Sequence, residues 1–201
     1  HIRASTGDNQ PREWDFHVED FMPERMALNL TPQNAPVSPA ADVSFAVSGA
    51  YLYGAPASGN PLQGKLFLRP LRDAVPALPG FQFGDIAEEN LSRSLDEVQT
   101  TLDDRGRAEV TAASQWQESR SPLQVILQAS LLESGGRPVT RTVRQPIWPA
   151  ETLPGIRPEF ALKEVYDYRT DSTIKQPVVD ENGTAAFEIV YADAKGEKKA
   201  V

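Results

Sequence analysis

The sequence predicts an all-β protein, an antiparallel β-sandwich followed by part of a second one, and three observations carry that prediction. Val43, Phe45 and Val47 alternate with Ser44, Ala46 and Ser48, and Leu123, Val125, Leu127, Ala129 and Leu131 share one face of an extended stretch. The 17 prolines and 13 glycines interrupt the chain so often that few windows can hold a long helix. Between the alternating stretches lie compact clusters of residues that reverse a chain, such as Gly54 to Gly64 and Ser134-Gly135-Gly136.

The elements follow in order. Residues 1–20 close a preceding domain or form a linker strand: a polar, turn-prone stretch from Ser5 to Pro11 precedes Trp14, Phe16 and Val18, which alternate with Glu13, Asp15 and His17. Residues 21–148 form the main sandwich. Its first strand runs from Arg25 to Thr31 with Met26, Leu28 and Leu30 on one side, and Pro32, Pro36 and Pro39 then forbid regular structure. Val43 to Val47 and Leu66 to Leu68 belong to two strands joined by the turn cluster.

From Leu71 to Ser94 the pattern breaks. Val75 to Gly84, with two prolines and two glycines, is expected to be loop, and Asp85 to Leu91 to form a short helical turn with Asp85 as N-cap and Ile86 and Leu91 inward. So long a connection is either functional or packed over an open end of a sheet. Strands resume over Leu95 to Leu102, Arg107 to Ala112, Pro122 to Leu132 and Arg137 to Gln145, with a tight turn at Asp103 to Gly106.

Residues 149–201 form a linker and the first part of a second sandwich. Ile156 to Phe160 leads into the stretch after Asp167, Ala186, Glu188 and Val190 alternate with Phe187, Ile189 and Tyr191, and Asp193 to Glu197 makes a hairpin tip. This region reads as half a sandwich, so its core needs support from the first domain or from an added strand. Trp14 and Trp148 stand at the boundaries, and they and Ile156 are the expected interdomain packing residues. Pro146, Pro149, Pro154 and Pro158 restrict φ along the joint, which predicts a stiff, docked linker.

Charge and composition exclude several functions. A net charge of −8 and a pI of about 4.8 repel a nucleic-acid backbone. No apolar run approaches the roughly 20 residues that cross a bilayer, so direct membrane insertion of this segment is not expected. The start at His1 rather than Met reads as a processed product or an excised piece. Without cysteine the chain has no disulfide, thiolate nucleophile or Cys-ligated metal.

Candidate chemistry is sparse. Glu88-Glu89 and Asp103-Asp104 are paired carboxylates, but neighbours on a strand face opposite ways and Asp is a common turn residue. His1 and His17, the only imidazoles, have no Gly-x-Ser-x-Gly elbow to serve. Asp180-Glu181-Asn182-Gly183 has oxygen ligands without the spacing of a calcium loop, so a turn explains it and no metal or cofactor is expected. Trp116, flanked by Gln115 and Gln117, is expected half exposed, and one such ring is not a sugar-stacking platform. No catalytic residue is assigned, and an enzyme is not expected.

The wording of particular segments goes further. Tyr51-Leu-Tyr-Gly-Ala-Pro-Ala-Ser-Gly, preceded by Val18, Phe21, Pro23 and Arg25 and followed by Arg137-Pro-Val-Thr-Arg-Thr-Val and Pro146-Ile-Trp-Pro-Ala, resembles the macroglobulin domains of bacterial alpha-2-macroglobulins of the enterobacterial type. The resemblance spans Trp14 to Val201 and implies macroglobulin-like, that is immunoglobulin-like, sandwiches. It implies a role as structural scaffold in a broad-range endopeptidase inhibitor that encloses or covalently traps a protease once its bait segment is cut. The partners it implies are other macroglobulin domains of the same chain, and target proteases only through the full-length protein. That protein would be a periplasmic lipoprotein, tethered to the inner membrane and acting in bacterial defence. Covalent trapping in that family uses a Cys-x-Glu-Gln thioester, which this cysteine-free chain lacks, so it is not itself the trap. The sequons at Asn29, Asn90 and Asn182 then carry no glycosylation. The alternative reading is a β-sandwich adhesion or carbohydrate-binding module of a cell-envelope protein, which would need exposed aromatic residues gathered on one sheet face or loop end.

Overall fold

A computed structural model describes residues 2–4, 12–14, 23–33, 36–72, 74–85, 87–88, 91–133, 135–160, 162–168, 171–179 and 181–199. Among them every regular element is a strand: β1 (Ile2–Ala4), β2 (Arg12–Trp14), β3 (Met26–Thr31), β4 (Val43–Tyr51), β5 (Pro61–Pro70), β6 (Gln82–Phe83) and β7 (Arg93–Thr101). They continue with β8 (Arg107–Ala112), β9 (Leu123–Leu131), β10 (Val139–Ile147), β11 (Leu153–Pro158), β12 (Leu162–Asp167), β13 (Ser172–Pro177) and β14 (Phe187–Ala192). Named pairs are antiparallel throughout, so the protein is an all-β antiparallel sandwich.

The main sandwich stacks a three-stranded sheet, β3-β4-β8, on a four-stranded one, β10-β9-β5-β7. Period-two alternation decides what lies between them. Leu28, Phe45, Val47 and Val110 face inward from the first sheet, and Leu62, Leu66, Leu68, Val125, Leu127 and Leu131 from the second, all buried in one cluster. On the outer face Lys65 and Glu97 pair at 3.3 Å across β5 and β7. The reversal between β7 and β8 is fixed by Asp103, whose Oδ1 accepts the amides of Arg105 and Arg107, each at 2.8 Å.

One local expectation is corrected, and another is met as a single turn. Trp116 is 3% exposed, not half exposed. The chain turns there, Ser119 N donating to Trp116 O at 3.1 Å, and the indole belongs to the sandwich core with Leu68, Leu91 and Leu123 while its glutamine neighbours stay in solvent. After Asp85 the described residues close a single turn with Asp85 as its cap, and Glu89 and Asn90 lie outside them. Asp85 O accepts the amide of Glu88 at 3.3 Å, an i to i+3 closure, and also the hydroxyl of Ser121 at 3.2 Å. The Asp85 carboxylate accepts the amide of Ala87 at 2.9 Å, and Leu91 is buried. Ile86 lies outside the described residues.

Beyond the main sandwich, β14-β11-β6 form a second three-stranded sheet, and the hairpin β12-β13 is inserted between β11 and β14. β6 comes from the part of the connection, Val75 to Gly84, expected to be loop. Phe83 pairs with Gly155 and Gln82 with Ile156, so the long excursion between β5 and β7 supplies the added strand that the C-terminal region needs.

Candidate functional site

The part of the molecule with the most built character is the joint between these two bodies. It starts from the end of β10. Trp148 N donates to Val37 O at 3.0 Å while Val37 N donates to Pro146 O at 3.0 Å, which fixes the direction in which the chain leaves the sandwich. The indole of Trp148 then turns away from the main core into a second one. Its ring lies 5.7 Å from Phe83 at an interplanar angle of 56°, and Phe83 lies 6.4 Å from Phe81. Val75, Leu153, Val190 and Ala192 complete this second buried cluster. Two of its aromatic rings come from the excursion and one from the end of β10, so the cluster belongs to neither region alone.

Close approach is possible because Gly155 faces Phe83. A Cβ on Gly155 would stand 2.6 Å from the Phe83 ring, inside any real contact distance. The rim is polar and aromatic. Arg157 carries its guanidinium 4.6 Å from the centre of the Phe81 ring and pairs with Glu188. At the tip after β14, Asp193 Oδ1 accepts the amides of Lys195 at 2.9 Å and Glu197 at 3.0 Å. The Glu197 amide, with the Lys195 amide and the Lys199 charge behind it, holds the Asp193 carboxyl below its usual pKa against a smaller opposing effect of burial.

The expected packing residues divide. Trp148 is 8% exposed and sits inside the second core. Ile156 is 44% exposed, because in β11 it alternates with Leu153 and Gly155 and so points to the opposite face. On that face it stands opposite Ile189 in register, with Phe187 and Tyr191 beside it at 50% and 38% exposure. Trp14 pairs through its backbone with Ile2, and its side chain lies outside the described residues. The sequence reading missed Val75, Phe81 and Phe83, whose only signal was a run of apolar residues inside a proline-rich loop.

Two of the catalytic candidates, Glu88 and Asp103, hold structural positions. Glu88 accepts the amide of Arg120 through both carboxylate oxygens, at 3.3 and 3.2 Å. Asp103 caps its turn. His1, His17, Glu89 and Asp180 lie outside the described residues, and among the described ones no three His, Cys, Asp or Glu side chains gather to hold a metal. At a loop end of the main sandwich the exposed Tyr53 stacks, with centroids 5.2 Å apart, on Tyr51, which is itself partly buried against the core.

The family model described as the bacterial alpha-2-macroglobulin MG5 domain matches residues 24–149. Along its whole length the chain is 74% identical to the alpha-2-macroglobulin of Escherichia coli, of which it spans 12%. It is similar to the crystal structure of trypsin-activated alpha-2-macroglobulin from that organism, with 73% identity and a TM-score of 0.83 over 99% of this chain and 14% of the other. The native conformation of the E. coli protein, determined by cryo-electron microscopy, matches with the same TM-score of 0.83 and 73% identity, over 99% of this chain and 12% of the other. The family model, the sequence identity and the structural similarity agree, and the chain belongs to the bacterial alpha-2-macroglobulin family.

Proposed function

We propose that this segment is a structural scaffold within a bacterial alpha-2-macroglobulin, a protease inhibitor that traps its target after bait cleavage. It holds neighbouring domains at fixed geometry and moves as one body when the trap closes. The observation that carries this reading is the match along the whole chain to a 12% portion of the E. coli alpha-2-macroglobulin, joined to a packed core shared by the two regions of this segment. With no cysteine the segment supplies no thioester, and it is neither the trap nor an enzyme. Its partners are other macroglobulin domains of the same polypeptide, and proteases meet it only through the full-length inhibitor, a periplasmic protein lipid-anchored to the inner membrane.

Residues 21–148 make the main macroglobulin-like domain on this reading, residues 1–20 close the preceding domain or link to it, and residues 149–201 begin a second sandwich. The two-sided apolarity of the sheet supports the last point. Leu153 and Val190 pack on the joint, whereas Ile156, Phe187, Ile189 and Tyr191 form an exposed apolar face suited to a covering sheet.

The test is direct. Incubated with trypsin or elastase at equal concentration, the isolated chain leaves protease activity unchanged, while the full-length protein carrying it inhibits. Stoichiometric inhibition by the chain alone would overturn the scaffold reading.

A further inference from the structure

The excursion from Ala74 to Asp85 is held from both sides, and that arrangement has a mechanical meaning. On the main-domain side Ser121, 4% exposed, accepts the amide of Asp85 at 2.9 Å and returns its hydroxyl to Asp85 O at 3.2 Å. Gly84, at φ +85°, passes so close that a Cβ there would stand 2.6 Å from Ser121. On the other side Gln82 and Phe83 hydrogen-bond along β11, and Phe83 packs between Gly155 and Trp148. Without β6, β11 and β14 would be a two-stranded pair, which is marginally stable in water at best.

We propose that the loop from Ala74 to Asp85 is a clamp: anchored at Ser121 in the main sandwich, it inserts a strand into the neighbouring sheet and thereby both completes that sheet and locks its orientation. This goes beyond a proline-stiffened linker, since stiffness resides in a segment far from the linker in sequence. It rests on the scaffold reading only for the reason rigidity matters.

Spin labels test it, placed at Gln99→Cys and Glu159→Cys in the 201-residue chain, which has no other cysteine. The parent is expected to give a narrow distance distribution. Gly155→Val, which pushes Phe83 out, and Phe83→Ala, which removes the ring from the other side, each widen it about twofold or more as the two bodies gain freedom. Amide exchange in β11 and β14 accelerates about tenfold or more in the same variants, while the main sandwich melts as in the parent. Unchanged distributions in both variants would overturn the clamp and leave the scaffold reading standing. Loss of the main melting transition in both would also overturn it, because the loop would then be part of the main core. A broad distribution in the parent itself would overturn the clamp and the scaffold reading together.

Discussion

Single side chains set the two ends of the stability scale here. Leu127 is fully buried at the centre of β9, in register with Leu66 on one neighbour and Val143 on the other. Leu127→Asp puts an unpaired carboxylate between the sheets at a cost of several kcal/mol, against a typical total stability of roughly 5–15 kcal/mol, so the main sandwich unfolds. Circular dichroism melting checks this, and a melt like that of the parent would contradict the placement of Leu127 in the core. Asp193 lies at the opposite extreme, on an exposed hairpin tip. Its folded pKa is held below the ordinary 3.8. The tip's stabilisation is therefore complete above that value and is lost as pH falls through the lower folded value. Carboxyl chemical shifts followed by NMR should titrate below 3.8; a midpoint at or above it would show that the Glu197 and Lys195 amides do not hold the charge.

At the scale of elements, the joint separates what Trp148 does from what the main strands do. Its indole packs in the second cluster while the main core is a distinct set of side chains. Removing a buried Trp ring costs about 3–5 kcal/mol, and here the loss falls on the second sheet. Trp148→Ala is thus expected to loosen the two bodies relative to each other and leave melting of the main sandwich unchanged. Small-angle scattering reads the outcome, an unchanged particle dimension meaning that Trp148 does not hold the joint. The main strands were legible because each carries its own alternation: Val43 to Val47 and Leu123 to Leu131 declare an inner face without reference to any partner. β6 was not legible, since a two-residue strand between Gly80 and Gly84 has no period and exists only because β11, far along the chain, offers an edge. Ile156 shows the same limit. Prolines flank it on both sides in alternation, and only the tertiary partners of Gly155 decide that Ile156 faces outward. Trp116 misled through its polar neighbours, because a single large ring can close a sandwich end while the backbone beside it stays wet.

For the whole molecule, on the proposed scaffold reading, the two bodies and the loop that crosses between them form a unit whose value lies in not changing shape. A hinge within such a segment would absorb the motion that bait cleavage releases, whereas a rigid joint passes it to the domains on either side. The candidate site is accordingly a packed joint and not a cleft, which is why no arrangement of carboxylates or imidazoles in the sequence pointed to it. The most direct measurement places spin labels at Gln99 and Glu159 within a full-length alpha-2-macroglobulin that carries this segment, before and after activation by trypsin. One narrow distance, the same in both states, is expected; a shift or a second population after activation would contradict a rigid joint.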